Sequence, residues 1–136
     1  MVDELGWTVE KIPDSDSVFM RAHETYFRDG ALTAGVFTAK DGGMSADWDK
    51  YSSKEETRNR AKNPARNAVL SLSVGGVRQM KGLDVEHRPE LENRAHSEID
   101  LPDDREELTE IRVFLLRLAD IVIPLTRDPV GEQRTI

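Results

Sequence analysis

The sequence predicts an α+β fold: a small, mostly antiparallel sheet, one long C-terminal helix packed across it, and a short polar helix. Three observations carry this expectation. "NAVLSLSV" alternates strictly, with Leu70, Leu72 and Val74 on one side and Ser71 and Ser73 on the other, the period of a half-buried strand. An Asp29-Gly30 pair separates two further alternating runs, a hairpin signal. Near the C-terminus, Leu108, Ile111, Leu115, Leu118 and Val122 recur at helical spacing, with Phe114 and Ile121 widening the stripe.

The remaining elements follow in chain order. Residues 1–17 form an N-terminal extension, mixed in character and ending in a polar turn cluster, with Trp7, Val9 and Ile12 as the residues by which it would dock. In "SVFMRAHETYF", Val18, Met20 and Ala22 alternate with Phe19, Arg21 and His23, which suits a strand. "RDGALTAGVFTA" gives a second strand antiparallel to it. The glycines of "KDGGMSADWDKY" mark a loop. In "SSKEETRNRAK", Ser53 and Glu56 form a capping box, each side chain satisfying a backbone N–H at a helix start. That helix is polar almost all round, hence short and superficial. "GGVRQMKG" is a turn or a single helical turn, and "LDVEHRP" a strand with Leu83, Val85 and His87 on one face. Asp103 and Glu106 form a second capping box, and Pro124 ends the last helix. The helix should run about 20 residues, near 30 Å. Residues 18–124 make one domain and 125–136 a frayed tail.

Composition limits the functions open to the chain. It has 136 residues, 33% of them charged, and a net charge of −7. That charge disfavours sequence-independent nucleic-acid binding, which depends on neutralising phosphates. The charges are segregated. No acidic residue occurs from Thr57 to Leu83, where Arg58, Arg60, Lys62, Arg66, Arg78 and Lys81 supply a basic segment. Residues 98–110 are strongly acidic. The run from Arg58 to Arg66 could meet phosphate or an acidic partner, though such a run is more often a solvated face. The absence of cysteine removes disulfides, thiolate metal sites and cysteine nucleophiles. No apolar stretch has the length of a membrane span, and the N-terminus lacks the pattern of a secretory signal. A cytoplasmic location is the expectation. No nucleotide-binding glycine loop, nucleophile elbow or zinc-protease motif occurs, and no cofactor is expected.

Histidine and arginine are the remaining candidates for chemistry. Arg21, His23, His87 and His96 could converge at one sheet edge. Two imidazoles and a cation suit acid–base work on a phosphorylated or nucleotide substrate. Three histidines with an open position suit a metal. The spacing favours neither over hydrogen-bonded structural histidines. Ser45 and Asp47 on the glycine-rich loop, with Asn93 beside His96, are candidate ligand contacts. The competing reading of that loop has Trp48 and Tyr51 folding back to cap the sheet and Asp47 and Asp49 making turn hydrogen bonds.

One further pattern bears on these residues. Arg21 near a strand end, a Phe…Met-Ser-x-Asp segment from Phe37 to Asp47, and an Asn-x-Ala-His segment from Asn93 to His96 together resemble a family of small bacterial proteins with no assigned activity. The resemblance spans roughly residues 18–122. It departs at Arg94, where the family pattern has proline. It implies that Arg21, Ser45, Asp47 and His96 share one functional surface, and it implies no mechanism. The expected function is a binding or interaction protein. Its expected partner is another protein, as in a defence, toxin–antitoxin or immunity cassette, or a small phosphorylated ligand. The alternative is the small enzyme built on Arg21 and the histidines.

Overall fold

A computed structural model describes residues 6–38, 43–102 and 105–125. Its eight strands are β1 (Ser17–His23), β2 (Phe27–Arg28), β3 (Ala31–Leu32), β4 (Gly43–Trp48), β5 (Asn67–Ser73), β6 (Asp84–His87), β7 (His96–Asp100) and β8 (Asp120–Ile123). Its α-helices are α1 (Lys54–Asn59), α2 (Val74–Arg78) and α3 (Arg105–Leu118). Six strands form one sheet in the order β6-β7-β4-β1-β5-β8, and β2 and β3 form a separate hairpin. Every pairing is antiparallel. The fold is therefore α+β with an antiparallel sheet. No described helix is long and apolar enough to cross a membrane.

Alternation separates the faces of the sheet. Val18, Met20 and Ala22 of β1, Leu70 and Leu72 of β5, Met44, Ala46 and Trp48 of β4, and Val85 and Ile99 all face the core. Ile111 and Leu115 of α3 complete it. The opposite face carries Arg21, Ser45, Asp47, His96 and the acidic side chains of β6 and β7, with α1 packed over its β1–β5 part. At the head of α1 the capping box is present in full: Ser53 Oγ accepts from Glu56 N, and Ser53 N donates to Glu56 Oε1, both at 3.0 Å.

The structure corrects several of the sequence expectations. Residues 43–48 form the central strand β4, not a loop. Glycine, serine and aspartate are weak strand formers, but β7 and β1 hold them in register through Met44↔Ile99 and Val18↔Trp48. Residues 31–38 form only a two-residue strand followed by a 3₁₀ turn, Ala34–Val36. Val36, in that turn, and Phe37 after it are both buried, and Arg112 Nε donates to Phe37 O at 2.9 Å. The Asp29-Gly30 turn, with φ of 53° and 81°, closes only the short β2–β3 hairpin; the expected pairing of the first strand with the run after the turn does not form, because β1 pairs with β4 and β5. His96–Asp100, unassigned from sequence, is the strand β7.

The last helix is 14 residues long, about 21 Å, and ends at Leu118. The β-branched run Ile121-Val122-Ile123 leaves it to add strand β8 to the edge of β5, so Pro124 follows a strand. Asp103 of the expected second capping box and residues 126–136 of the expected tail lie outside the described residues. The N-terminal segment docks as its apolar residues suggested, with Ile12 buried in the core. Arg78 fastens it, donating to Ile12 O at 2.6 Å and to Asp14 Oδ1 at 2.7 Å.

Leu70 lies fully buried on the central strand pair. Leu70→Ala is expected to lower unfolding stability by about 2–5 kcal/mol, read from urea unfolding, with the sheet's circular-dichroism signature retained.

Candidate ligand-binding site

Strands β1 and β4 pair at only two positions, Val18↔Trp48 and Phe19↔Asp47. Carried further, that register would set Arg21 against Ser45. Instead β1 continues with β5 as far as His23↔Asn67, while β4 continues back to Gly43 with β7. The sheet thus splits between the C-terminal half of β1 and the N-terminal half of β4. A cleft of about 900 Å³ occupies the split, within the range of small-molecule sites. Its walls include Arg21 on the β1 side and Ser45 and His96 on the other, with Asp47 and Asn93 also lining it.

Asp47 sits at the point where the strands part and is almost wholly buried. An ionised carboxylate there requires partners, and it has two. Arg60 Nη1 donates to Oδ2 and Asn93 Nδ2 to Oδ1, each at 2.8 Å. Arg60 Nη1 also donates to Ser52 Oγ at 2.8 Å. These bonds join α1, β4 and the β6–β7 connection behind the cleft. Asp47 makes no turn hydrogen bond of the kind the sequence suggested.

His96 presents one nitrogen to the cleft. Its Nδ1 lies 2.8 Å from Arg88 O. A carbonyl oxygen only accepts, so Nδ1 carries the proton, and in the neutral ring Nε2 is an acceptor. Ser45 Oγ is 3.4 Å from that Nε2. Opposite, Arg21 donates through Nη1 to Thr57 O at 3.1 Å. Among the described residues no carboxylate pairs with it.

The other two histidines are elsewhere. His87 points into the core face, where its ring lies 5.1 Å from Trp48 and 6.0 Å from Tyr51. Its Nδ1 accepts from Glu10 N at 3.1 Å, so Nε2 carries the proton and donates to Arg94 O at 2.6 Å. His23 ends β1 and caps the following 3₁₀ turn by accepting from Thr25 N at 3.2 Å. The three-histidine convergence considered from sequence does not form. Among the described residues no group of three His, Cys, Asp or Glu side chains is placed to hold a metal ion. Trp48 and Tyr51 do pack together, edge to face at 5.3 Å.

The basic segment is largely spent on internal bonds. Arg58 Nε donates to Pro64 O and Asn67 O, Arg60 holds Asp47, Arg66 pairs with Glu24, and Arg78 bridges Asp14 and Asp84. Arg94, at the position where the family pattern has proline, lies over the rings of Tyr51 and Trp7 at 4.0 and 5.0 Å, a cation–π stack that is not part of the cleft lining. Glu90, Glu92, Tyr26 and Thr57 also line the cleft. Sequence reasoning passed over them because each is unremarkable in its own stretch.

Beside the cleft, Arg88 reaches Glu86, Glu98 and Asp100. Burial, then the Glu86 carboxylate, raise the Asp100 pKa, and Arg88 only partly opposes them.

No protein-family model, no curated protein and no solved structure matches this chain.

Two outcomes are expected from this geometry. His87→Ala removes a buried ring packed against Trp48 and the partner of two part-buried groups, Glu10 N and Arg94 O, and should cost about 1–3 kcal/mol of stability, measured by urea unfolding. Asp100 has a raised folded-state pKa, so the folded protein holds its proton more tightly than the unfolded chain does. Its ionised form therefore disfavours folding at neutral pH, and that penalty fades as pH falls through the raised value. Asp100→Asn should stabilise the protein near about pH 7, with the gain shrinking toward about pH 4, as read from unfolding midpoints at both.

Proposed function

We propose that the protein is a small binding domain whose ligand carries an anionic group, held in the β1–β4 cleft against Arg21. One observation carries the proposal. Arg21 stands on a wall of the cleft with one bond to a backbone carbonyl and no carboxylate partner among the described residues. Arginine recognises carboxylate and phosphate through its planar fork of donors. Asp47, the buried acid nearby, is already held by Arg60 and Asn93, so it does not compete for Arg21. Five of the seven candidate residues, Arg21, Ser45, Asp47, Asn93 and His96, line the same cleft. The surface implied by the family resemblance is drawn from this set.

The alternative is an enzyme passing protons between two imidazoles on a phosphorylated substrate. It needs a second histidine beside Arg21, and neither His23 nor His87 lines the cleft. A protein partner, as in a defence, toxin–antitoxin or immunity cassette, enters the proposal through the same chemistry, by offering a carboxylate or phosphate to Arg21.

The test is a titration of the full chain with inorganic phosphate, succinate and adenosine monophosphate, followed by amide chemical shifts. At least one probe should move Arg21, Ser45 and His96 together. Arg21→Ala should weaken that probe by about 1.5–3 kcal/mol, roughly tenfold or more, without unfolding the domain. Shifts confined to residues outside the cleft, or an affinity indifferent to Arg21, would refute it.

A further inference from the structure

The two walls of the cleft differ in hydrogen-bonding sense. The β1 wall offers the guanidinium of Arg21, which can only donate. The opposite wall carries acceptors. The turn from Glu90 to Asn93 is closed by reciprocal backbone bonds, Glu90 N to Asn93 O and Asn93 N to Glu90 O, both at 3.0 Å. Asn93 anchors it by donating to buried Asp47. The turn therefore holds Glu90 and Glu92 at the cleft. Among the described residues neither carboxylate pairs with a lysine or arginine. Among the described residues the basic group near Glu90 Oε1 is His96 Nε2 at 4.0 Å, and in the neutral ring that nitrogen is itself an acceptor, because Nδ1 is committed to Arg88 O. Two carboxylates and His96 thus share the cleft with the Arg21 guanidinium, which has one bond to a backbone carbonyl, while Arg60, also in the lining, is held by Asp47. The lining also includes the apolar residues Phe19, Met20, Val36 and Met44.

From this polarity we infer that the ligand is a small zwitterion with an apolar body: an apolar amino acid, or a short peptide with free ends. Its carboxylate lies on Arg21, and its ammonium lies on Glu90, Glu92 and His96 Nε2. An ammonium supplies three donors to a wall rich in acceptors. A ligand that is purely anionic makes the Arg21 contact without this second one, so it should bind more weakly than the zwitterion. The inference rests on the anion site at Arg21 proposed above and adds the second half of the ligand.

The experiment compares phenylalanine and the tripeptide phenylalanyl-glycyl-phenylalanine with their N-acetylated and C-amidated forms. Binding to the full chain is read by calorimetry and amide shifts. At least one free zwitterion should bind. N-acetylation and C-amidation should each weaken it roughly tenfold or more, the scale of losing one charge-assisted bond. In the double variant Glu90→Gln/Glu92→Gln the N-acetylation penalty should collapse toward unity, and in Arg21→Ala the amidation penalty should collapse instead. The two sources separate by which parent, amino acid or tripeptide, binds more tightly. If N-acetylated and free forms bind alike, or the penalty survives the double variant, the zwitterion inference is wrong while the anion site stands. If amidation has no effect, or neither zwitterion binds, the zwitterion inference falls, and the titrations with phosphate, succinate and adenosine monophosphate decide the anion site separately.

Discussion

A buried charge organises this domain. Asp47 lies at the last point where β1 and β4 pair, and its carboxylate is met by Arg60 from the end of α1 and Asn93 from the β6–β7 connection. Burying an ionised group without such partners costs several kcal/mol. Any arrangement that keeps Asp47 inside must therefore bring both partners to it. That requirement draws α1 across the open face and anchors the Glu90–Asn93 turn over the sheet. Beyond Asp47 the two strands separate, and the cleft begins where their pairing stops.

The same economy of charge runs through the rest of the molecule. The chain is acidic overall, yet most arginines of its basic segment serve as internal fasteners. Arg78 links the N-terminal segment to β6, and Arg58 ties α1 to the start of β5 through backbone carbonyls. Guanidinium groups suit this work, because several fixed donors can satisfy carbonyls and carboxylates at once. Arg21 has one carbonyl bond and, among the described residues, no acid. Its place on the cleft wall makes it the cation of the proposed site.

The three histidines show how far position governs role. His87 and His96 lie on neighbouring antiparallel strands, but their rings emerge on opposite faces of the sheet, since His87 pairs with Ser97 and not with His96. One is packed among aromatics with both nitrogens satisfied. The other is oriented by a carbonyl with its remaining nitrogen at the cleft. His23, on the open face like Arg21, is taken up by its own turn. A single-residue shift in register would exchange the faces of a whole strand, so the division of labour depends on strand pairing alone.

What the sequence determined by itself is what short-range physics decides. The capping box at Ser53 and Glu56, the Asp29-Gly30 turn, the alternation of β1 and β5, and the apolar stripe from Leu108 to Leu118 each depend on residues a few positions apart, and each is present, whereas Ile121 and Val122 of the expected stripe lie in β8. The antiparallel α+β class follows from them. Arg21, Ser45, Asp47, Asn93 and His96 line one cleft, but strand parity could not group them, because residues 43–48 read as a loop and 96–100 were unassigned. Tertiary structure decided the rest. Residues 43–48 and 96–100 become strands because they pair with each other and with neighbours remote in sequence, against weak local propensity. Residues 120–123 leave the helix because β5 offers an unpaired edge. The split that forms the cleft, the partners of Asp47, and the freedom of Arg21 have no local signature. They arise from which strands lie side by side, and that is settled only when the whole core is assembled.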